Sequence, residues 1–256
     1  MYLVNEHIQH VDHETLVQFQ HTHHIQLPEA YCEFLEQYGV GTYCGVLNVQ
    51  LPDHQQLTEF VEYELWEYDK DSPIHNQQLA ECVVIATTID GDFLALHPQV
   101  KDLLWIPRHS ERIEVRLLDH KASWIEMMDQ WLKISYGDSF QIMQENRYYE
   151  SWNQDQRYRS LTFHPPTEGN DLLSISSSAE QLTQIAHQID LQLPADLKIE
   201  TLYSCLLFWR SIQGYVRFNY AYSYEVVLCY EDHDKEASEQ LLDVLLQHHI
   251  YEDSPE

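Results

Sequence analysis

Residues 27–45 read LPEAYCEFLEQYGVGTYCG, and the three glycines Gly39, Gly41 and Gly45 decide what kind of fold this is. A glycine-rich loop that cradles phosphate runs strand, loop, helix, with G-x-G-x-x-G spacing or a Lys-Ser/Thr pair behind it. Here the spacing is G-x-G-x-x-x-G, no such lysine follows, and the helix comes first. Pro28 suits a helix start and Glu29 places an acid in the first turn. Tyr31, Phe34, Leu35 and Tyr38 then recur at i, i+3, i+4, i+7 as one apolar stripe. Gly39 stands where a left-handed C-cap is wanted. TYCGVLNVQLP alternates and is rich in strand formers, which predicts a strand from near Thr42. Gly41 and Gly45 then fall at a turn and inside a strand. The motif is a helix–turn–strand corner.

Upstream, Leu16 and Phe19 have helical spacing within Glu14–Gln20. Downstream, Gln55–Asp69 (QQLTEFVEYELWEYD) reads as a very acidic helix, and DSPIHN as a break. Asp90-Gly91-Asp92 makes a hairpin turn between Val83–Thr88 and Phe93–His97. Leu103–Ile106 and Ile113–Leu117 continue that sheet. Ser123 caps a helix carrying Trp124, Met127, Met128, Trp131 and Leu132, which ends near Gly137.

Composition shifts after that. The stretch 141–170 is polar and aromatic, then loop-like at FHPPTEGND, and reads as a connecting segment between a domain over 1–140 and a smaller one over 171–256. In the smaller domain LLSIS reads as a strand. SSAEQLTQIAHQI is a helix with a capping-box start at Ser177 or Ser178 facing Glu180 or Gln181. KIETLYSCLLFWRSI and YVRFNYAYSYEVVLCYE follow as long strands, and Lys235–His249 is the last helix. The order β-α-β-β-α makes this a small α+β unit, and the whole chain an α+β protein.

Charge narrows the function classes. The 256 residues hold 14 Lys plus Arg against 42 Asp plus Glu, a formal net charge of -28. Holding nucleic acid through its phosphates needs the opposite sign, and anionic membrane surfaces would repel the chain. Acidity serves solubility in general, and more specifically a basic partner reached by electrostatic steering. Protonating the 16 histidines below about pH 6 would cancel much of the excess. No stretch approaches the ~20 apolar residues of a membrane span. The N-terminus lacks the basic start and apolar run of a secretory signal, so a cytosolic protein is expected. Cys32, Cys44, Cys82, Cys205 and Cys229 are scattered without a C-x-x-C pair, as reduced thiols would be.

LPEAYCEFLEQYGVGTYCGVLNV ahead of Pro52, together with VVIATTIDGDFLALHP, resembles the SUKH (Smi/Knr-like) superfamily of immunity proteins. The family pattern is Leu-Pro-acid, a helix with aromatic and leucine anchors, a glycine-bearing turn into a strand, then Gly-Asp within a strand pair. Leu27, Pro28, Tyr31, Phe34, Leu35, Gly39, Gly41, Gly91 and Asp92 match it, over about residues 10 to 140. The resemblance implies a central, largely antiparallel sheet flanked by helices. It also implies no cofactor, no catalytic residues and a role as a stoichiometric toxin binder. Eukaryotic members imply the alternative of an intracellular regulatory or scaffold protein with a basic partner.

Several constellations compete for a site. His21, His23 and His24, with His10 and His13 nearby, lack the H-E-x-x-H spacing of a helical zinc site. Glu231-Asp232-His233-Asp234 lacks EF-hand spacing and reads as a turn whose Asp234 caps the last helix. Asp90 and Asp92 sit at a hairpin tip, where burial cannot raise one acid for acid–base work. His248-His249 suits the negative pole of the last helix. No G-x-S-x-G is present. The stretch with most functional content is the acidic one. Glu59, Glu62, Glu64, Glu67 and Asp69 interleave with Tyr63, Trp66 and Tyr68, and suit a basic partner: the charges steer and the rings anchor. Its bland reading is a helix with rings in the core and acids in water. Asp90 and Asp92 join this expected partner-binding set, and the partner expected is a toxin of nuclease type, which must be basic to hold nucleic acid. Alternation also predicts Tyr220, Tyr222 and Tyr224 on one face of a strand, as core or interface, with core packing favoured by the β-propensity of tyrosine.

Overall fold

The computed structural model describes residues 1–63, 67–165, 174–222 and 224–252. The chain forms two compact units, one from Ile8–Trp152 and one from Met1–His7 with Asn153–Glu256. It opens on β1 (Tyr2–Leu3). The first unit then holds α1 (His13–His23), α2 (Glu29–Tyr38), β2 (Gly41–Tyr43), β3 (Leu47–Asp53) and α3 (Thr58–Glu62). A 3-10 helix, Asn76–Glu81, precedes β4 (Val83–Thr88), β5 (Phe93–His97), β6 (Val100–Ile106) and β7 (Glu114–Arg116). The unit closes with α4 (Trp124–Tyr136), α5 (Gln141–Glu145) and β8 (Tyr148–Ser151). The second unit continues with β9 (Gln156–Phe163), α6 (Ser174–Gln192), β10 (Leu197–Glu200), β11 (Ser204–Trp209), β12 (Gly214–Asn219), β13 (Glu225–Glu231), α7 (Lys235–Gln247) and β14 (Ile250–Glu252). Helices with two mostly antiparallel sheets make this an α+β fold.

The helix–turn–strand corner forms as its residues dictate. Pro28 is the extended N-cap of α2, and Tyr31, Phe34 and Leu35 are its buried stripe. Gly39 ends the helix at φ 66, ψ -165, so the cap has positive φ without being the left-handed helical conformation expected. One prediction fails here: residues 42–52 are two strands, with Gly41 inside β2 and Gly45 in the turn that separates β2 from β3. A Cβ on Gly41 would collide with the Glu150 carbonyl of the neighbouring strand, which explains the glycine.

Strands β8-β2-β3-β4-β5-β6-β7 lie side by side, and their ladders are antiparallel. Val84, Ala95, Leu104 and Ile106 pack with Leu57, Tyr68, Ile74 and Leu79 from the 57–79 segment. Their strand neighbours Val83, Ile85, Leu103 and Trp105 are buried as well, so these central strands are covered on both faces. Helices α2 and α4 meet through Tyr31 and Trp124, ring centroids 5.1 Å apart, and α2 reaches the sheet through Phe34 edge-on to Tyr149. Ser123 accepts the Glu126 N–H while Glu126 bonds back to the Ser123 N–H, a complete capping box at the start of α4. Within this core, Asp129 of α4 accepts from the Tyr43 hydroxyl at 2.6 Å and is ion-paired with Arg147.

The second sheet runs β10-β11-β12-β13-β9-β14, antiparallel throughout. Alternate strand residues Leu161, Phe163, Cys205, Leu207, Val216, Phe218, Val226 and Leu228 form one apolar face. Leu182, Ala186 and Ile189 of α6 and Leu241, Leu242 and Leu245 of α7 cover it.

Five further expectations are corrected. The acidic helix spans only Thr58–Glu62 rather than Gln55–Asp69: carboxylates at i and i+3 without basic partners repel, and Tyr68 has a tertiary place of its own. The stretch 141–170 holds α5, β8 and β9, and the units divide at Trp152/Asn153 with residues 1–7 joining the second. The ion pairs of Arg159 with Glu239 and Glu252 stabilise β9 from far along the chain. Ser174–Ser176 of the expected strand LLSIS begin α6, while Leu172 and Leu173 lie outside the described residues, so Ser177 and Ser178 are inside the helix rather than at its cap. Both long strands are hairpins, broken at 201–203 and 220–224. The last helix stops at Gln247, and the chain returns as β14 beside β9.

Candidate functional site

The acidic stretch has an inner and an outer side. Phe60 meets Phe93 edge-on with ring centroids 5.2 Å apart, and Val61 packs on the same cluster. Tyr68 is buried; its hydroxyl donates to the Pro107 carbonyl at 2.9 Å, and burial pushes its phenol well above the usual range. Tyr68 is therefore an anchor of the unit, which corrects its expected place on a contact surface. Glu59, Glu62, Glu67 and Asp69 face solvent, as does Tyr63 at 65% exposure. Glu64 and Trp66 lie outside the described residues. The Asp69 N–H donates to the Glu111 carbonyl at 2.6 Å, and Glu67 and Asp69 border a shallow recess shared with Arg108, Glu111 and Arg112.

The hairpin acids divide in role. Asp90 is exposed and accepts from the Tyr136 hydroxyl at 2.8 Å. Asp92 is half-buried and accepts the Arg108 N–H at 2.9 Å while its own N–H donates to Thr88 Oγ1. Asp92 is a turn-bracing residue, and its carboxylate is already committed.

The histidines and cysteines show what chemistry their surroundings favour. His23 stacks on His54 with centroids 3.9 Å apart and on Phe19 at 4.3 Å. These rings, with Leu51 and Trp152, line an open groove of about 550 Å³, a feature that no spacing rule in the sequence signals. Glu231 is wholly buried, bonded to His7 Nδ1 at 2.6 Å and accepting from Asn153 Nδ2 at 2.7 Å. Asp232 meets Arg157 and His233 meets Asp155, so these members of the EDHD run face separate partners; the Asp234 side chain is outside the description. Among the described residues no group of three or more His, Cys, Asp or Glu converges as metal ligands. Burial pushes the thiols of Cys44, Cys82 and Cys205 up to about 12, which keeps them protonated and non-nucleophilic at neutral pH. His248 lies beyond the helix end, and burial first, then neighbouring His249, hold its imidazole below the ordinary value. Its Nε2 lies 3.4 Å from Gln192 Oε1.

The tyrosine stretch splits. Tyr220 is turned inward and donates to Glu200 Oε1 at 3.1 Å, whereas Tyr222 and Tyr224 face solvent. They do not share a strand face, because the hairpin turn falls among them.

No protein-family model, no curated protein and no solved structure matches the chain. No helix among the described residues is long and apolar enough to cross a membrane.

Proposed function

We infer that the protein works by stoichiometric, non-catalytic binding of a basic partner through the acidic side of its first unit. The observation that carries this is the arrangement of Glu59, Glu62, Glu67 and Asp69: four outward carboxylates on a segment fastened from beneath by Phe60 and Tyr68. In a chain with 42 acidic and 14 basic residues, such a face raises the encounter rate with a cationic protein and repels anionic ones.

Within that class, the resemblance of residues 10 to 140 to the SUKH superfamily supports an immunity protein that neutralises a cognate bacterial toxin. A nuclease-type toxin fits best, because the cationic cleft that holds nucleic acid is the surface an acidic protein can compete for. Co-expressing the protein with the toxin encoded beside it is expected to restore growth at equimolar levels. Growth arrest that persists with the protein in excess refutes the assignment. Glu59→Gln/Glu62→Gln/Glu67→Gln is expected to slow association with that toxin about tenfold at low salt and to flatten the salt dependence, read by stopped-flow mixing.

A further inference from the structure

The shallow recess of about 850 Å³ beside the acidic segment is lined by Glu67, Asp69 and Glu111, but also by Arg108, His109 and Arg112. In a chain with 42 acidic and 14 basic residues, two arginines on one short loop call for an explanation. The other arginines have theirs. Arg116, Arg147, Arg157, Arg159 and Arg217 are ion-paired with carboxylates, and Arg210 lies over the Tyr2 ring. Arg108 and Arg112 are exposed, and among the described residues neither pairs with a carboxylate. The acids that share the recess stand outside ion-pairing distance of both.

The loop that carries these arginines is fixed to the acidic segment. The Tyr68 hydroxyl donates to the Pro107 carbonyl at 2.9 Å, the Asp69 N–H to the Glu111 carbonyl at 2.6 Å, and the Ile113 N–H to Ser72 Oγ at 3.3 Å. Asp92 of the neighbouring hairpin accepts the Arg108 N–H at 2.9 Å, and Ser110 Oγ accepts that of Arg112 at 3.3 Å. Acids and arginines are thus held in one frame. Little backbone freedom remains to be lost when a partner engages both.

Charge selects the occupant. A surface acidic throughout suits any cationic partner, but acids beside two unpaired guanidinium groups are complementary to basic residues around an anion. The planar guanidinium fork matches a carboxylate through two parallel N–H···O bonds. A phosphate monoester offers similar oxygens at roughly twice the charge. Glu67, Asp69 and Glu111 repel that charge in proportion. The singly charged carboxylate is the anion this recess favours.

We propose that Arg108 and Arg112 receive a carboxylate side chain, aspartate or glutamate, that the basic partner carries among its lysines and arginines. This rests on the binding function inferred above and deepens it. The acids govern how fast a cationic partner arrives, and the two arginines govern which cationic partner docks in register.

The test titrates three fluorescently labelled peptides into the full chain at about 0.15 M salt. Each is Lys-Lys-Lys-X-Lys-Lys-Lys, with X glutamine, glutamate or phosphoserine. On an acidic surface without a carboxylate site the most cationic peptide, that with glutamine, binds tightest. The expected order is the reverse: glutamate about threefold tighter than glutamine, the scale of one exposed ion pair, and phosphoserine weaker than glutamate. Arg108→Gln/Arg112→Gln makes the chain more acidic still, yet is expected to leave the glutamine peptide tightest, with an unchanged far-ultraviolet circular dichroism spectrum. Glu59→Gln/Glu62→Gln is expected to weaken all three peptides and keep their order. Glutamine binding as tightly as glutamate on wild type, or a glutamate preference that survives loss of both arginines, overturns the proposal and leaves the inferred function standing. Phosphoserine binding as tightly as glutamate overturns it in favour of a phosphate site. No binding of any peptide overturns the proposal and the inferred function together.

Discussion

The acidic segment of the first unit and the hairpin turns of the second use the same residue types with opposite polarity. In the acidic segment Glu59, Glu62, Glu67 and Asp69 point out, while Phe60 and Tyr68 point in. Around residues 200–225 the rings of Tyr203, Tyr222 and Tyr224 point out, while Glu200 and Glu225 are held by His187, Lys198, Tyr220, Arg217 and Asn219. Composition alone makes both look like sticky, acidic surfaces. Geometry separates them: the first turns carboxylates to solvent over buried rings, and the second turns rings to solvent over paired carboxylates.

The contrast breaks most visibly at the tyrosines. Tyr68→Ala removes a buried ring and the hydrogen bond to Pro107, and is expected to cost about 3 kcal/mol. Tyr63→Ala, five residues earlier and solvent-facing, is expected to stay within about 0.5 kcal/mol of wild type. Urea unfolding of the two variants measures the difference. Equal costs would mean that the inner and outer sides of this segment are misassigned.

How much of this was legible in the sequence depends on the range of the interaction that decides it. Helix α2 and its glycine cap, the β4–β5 hairpin and the capping box of α4 are decided within about four residues of chain, and local pattern predicts them. Residues 148–163 are decided elsewhere. Glu150 and Ser151 are buried polar residues in β8, and Arg159 of β9 meets Glu239 and Glu252, so polar letters that read as a linker are strands paired across the fold. The candidate surfaces follow the same division. The outward acids were readable as charge, but which tyrosine faces solvent depends on turns at 201–203 and 220–224. No Asn-Gly or Asp-Gly marks those turns; they rest on side-chain bonds from Thr201 and Asn219. The groove of Phe19, His23 and His54 joins α1 to the chain just after β3 and leaves no local signature.

The brace at Asn219 provides the next test. Asn219→Ala takes the acceptor from two backbone N–H groups and the donor from Glu225, and is expected to destabilise by roughly 1–2 kcal/mol. Amide exchange at Ala221 and Tyr222 is expected to speed up while that at Val84 and Ile85 in the first unit stays unchanged. Uniform acceleration through both units would argue that the turn is not separately braced.

Glu200 sharpens the same point through pH. Burial raises its carboxyl, but hydrogen bonds from His187, Lys198 and Tyr220 outweigh that and hold it below the ordinary 4.5. A depressed carboxyl stabilises the fold fully above the unfolded value and loses that contribution as pH falls through the folded one. Glu200→Gln is therefore expected to be less stable than wild type by about 1 kcal/mol at neutral pH, with the gap closing as the pH drops below 4.5. Thermal unfolding across that range measures it. A gap independent of pH would assign the loss to packing rather than to the charge.

The smallest effect on stability belongs to the outward rings themselves. Tyr203→Ala and Tyr222→Ala remove side chains whose surface is already mostly in water, so folding gains little from them and each is expected to cost under about 0.5 kcal/mol. Their backbones carry the bracing bonds, which alanine preserves. If either variant proves much less stable, the ring is packing against its own fold, and the second surface becomes another version of the first. If stability is kept, the two segments remain opposites: one buries its tyrosine to build the unit, and the other holds its tyrosines out on a frame that does not need them.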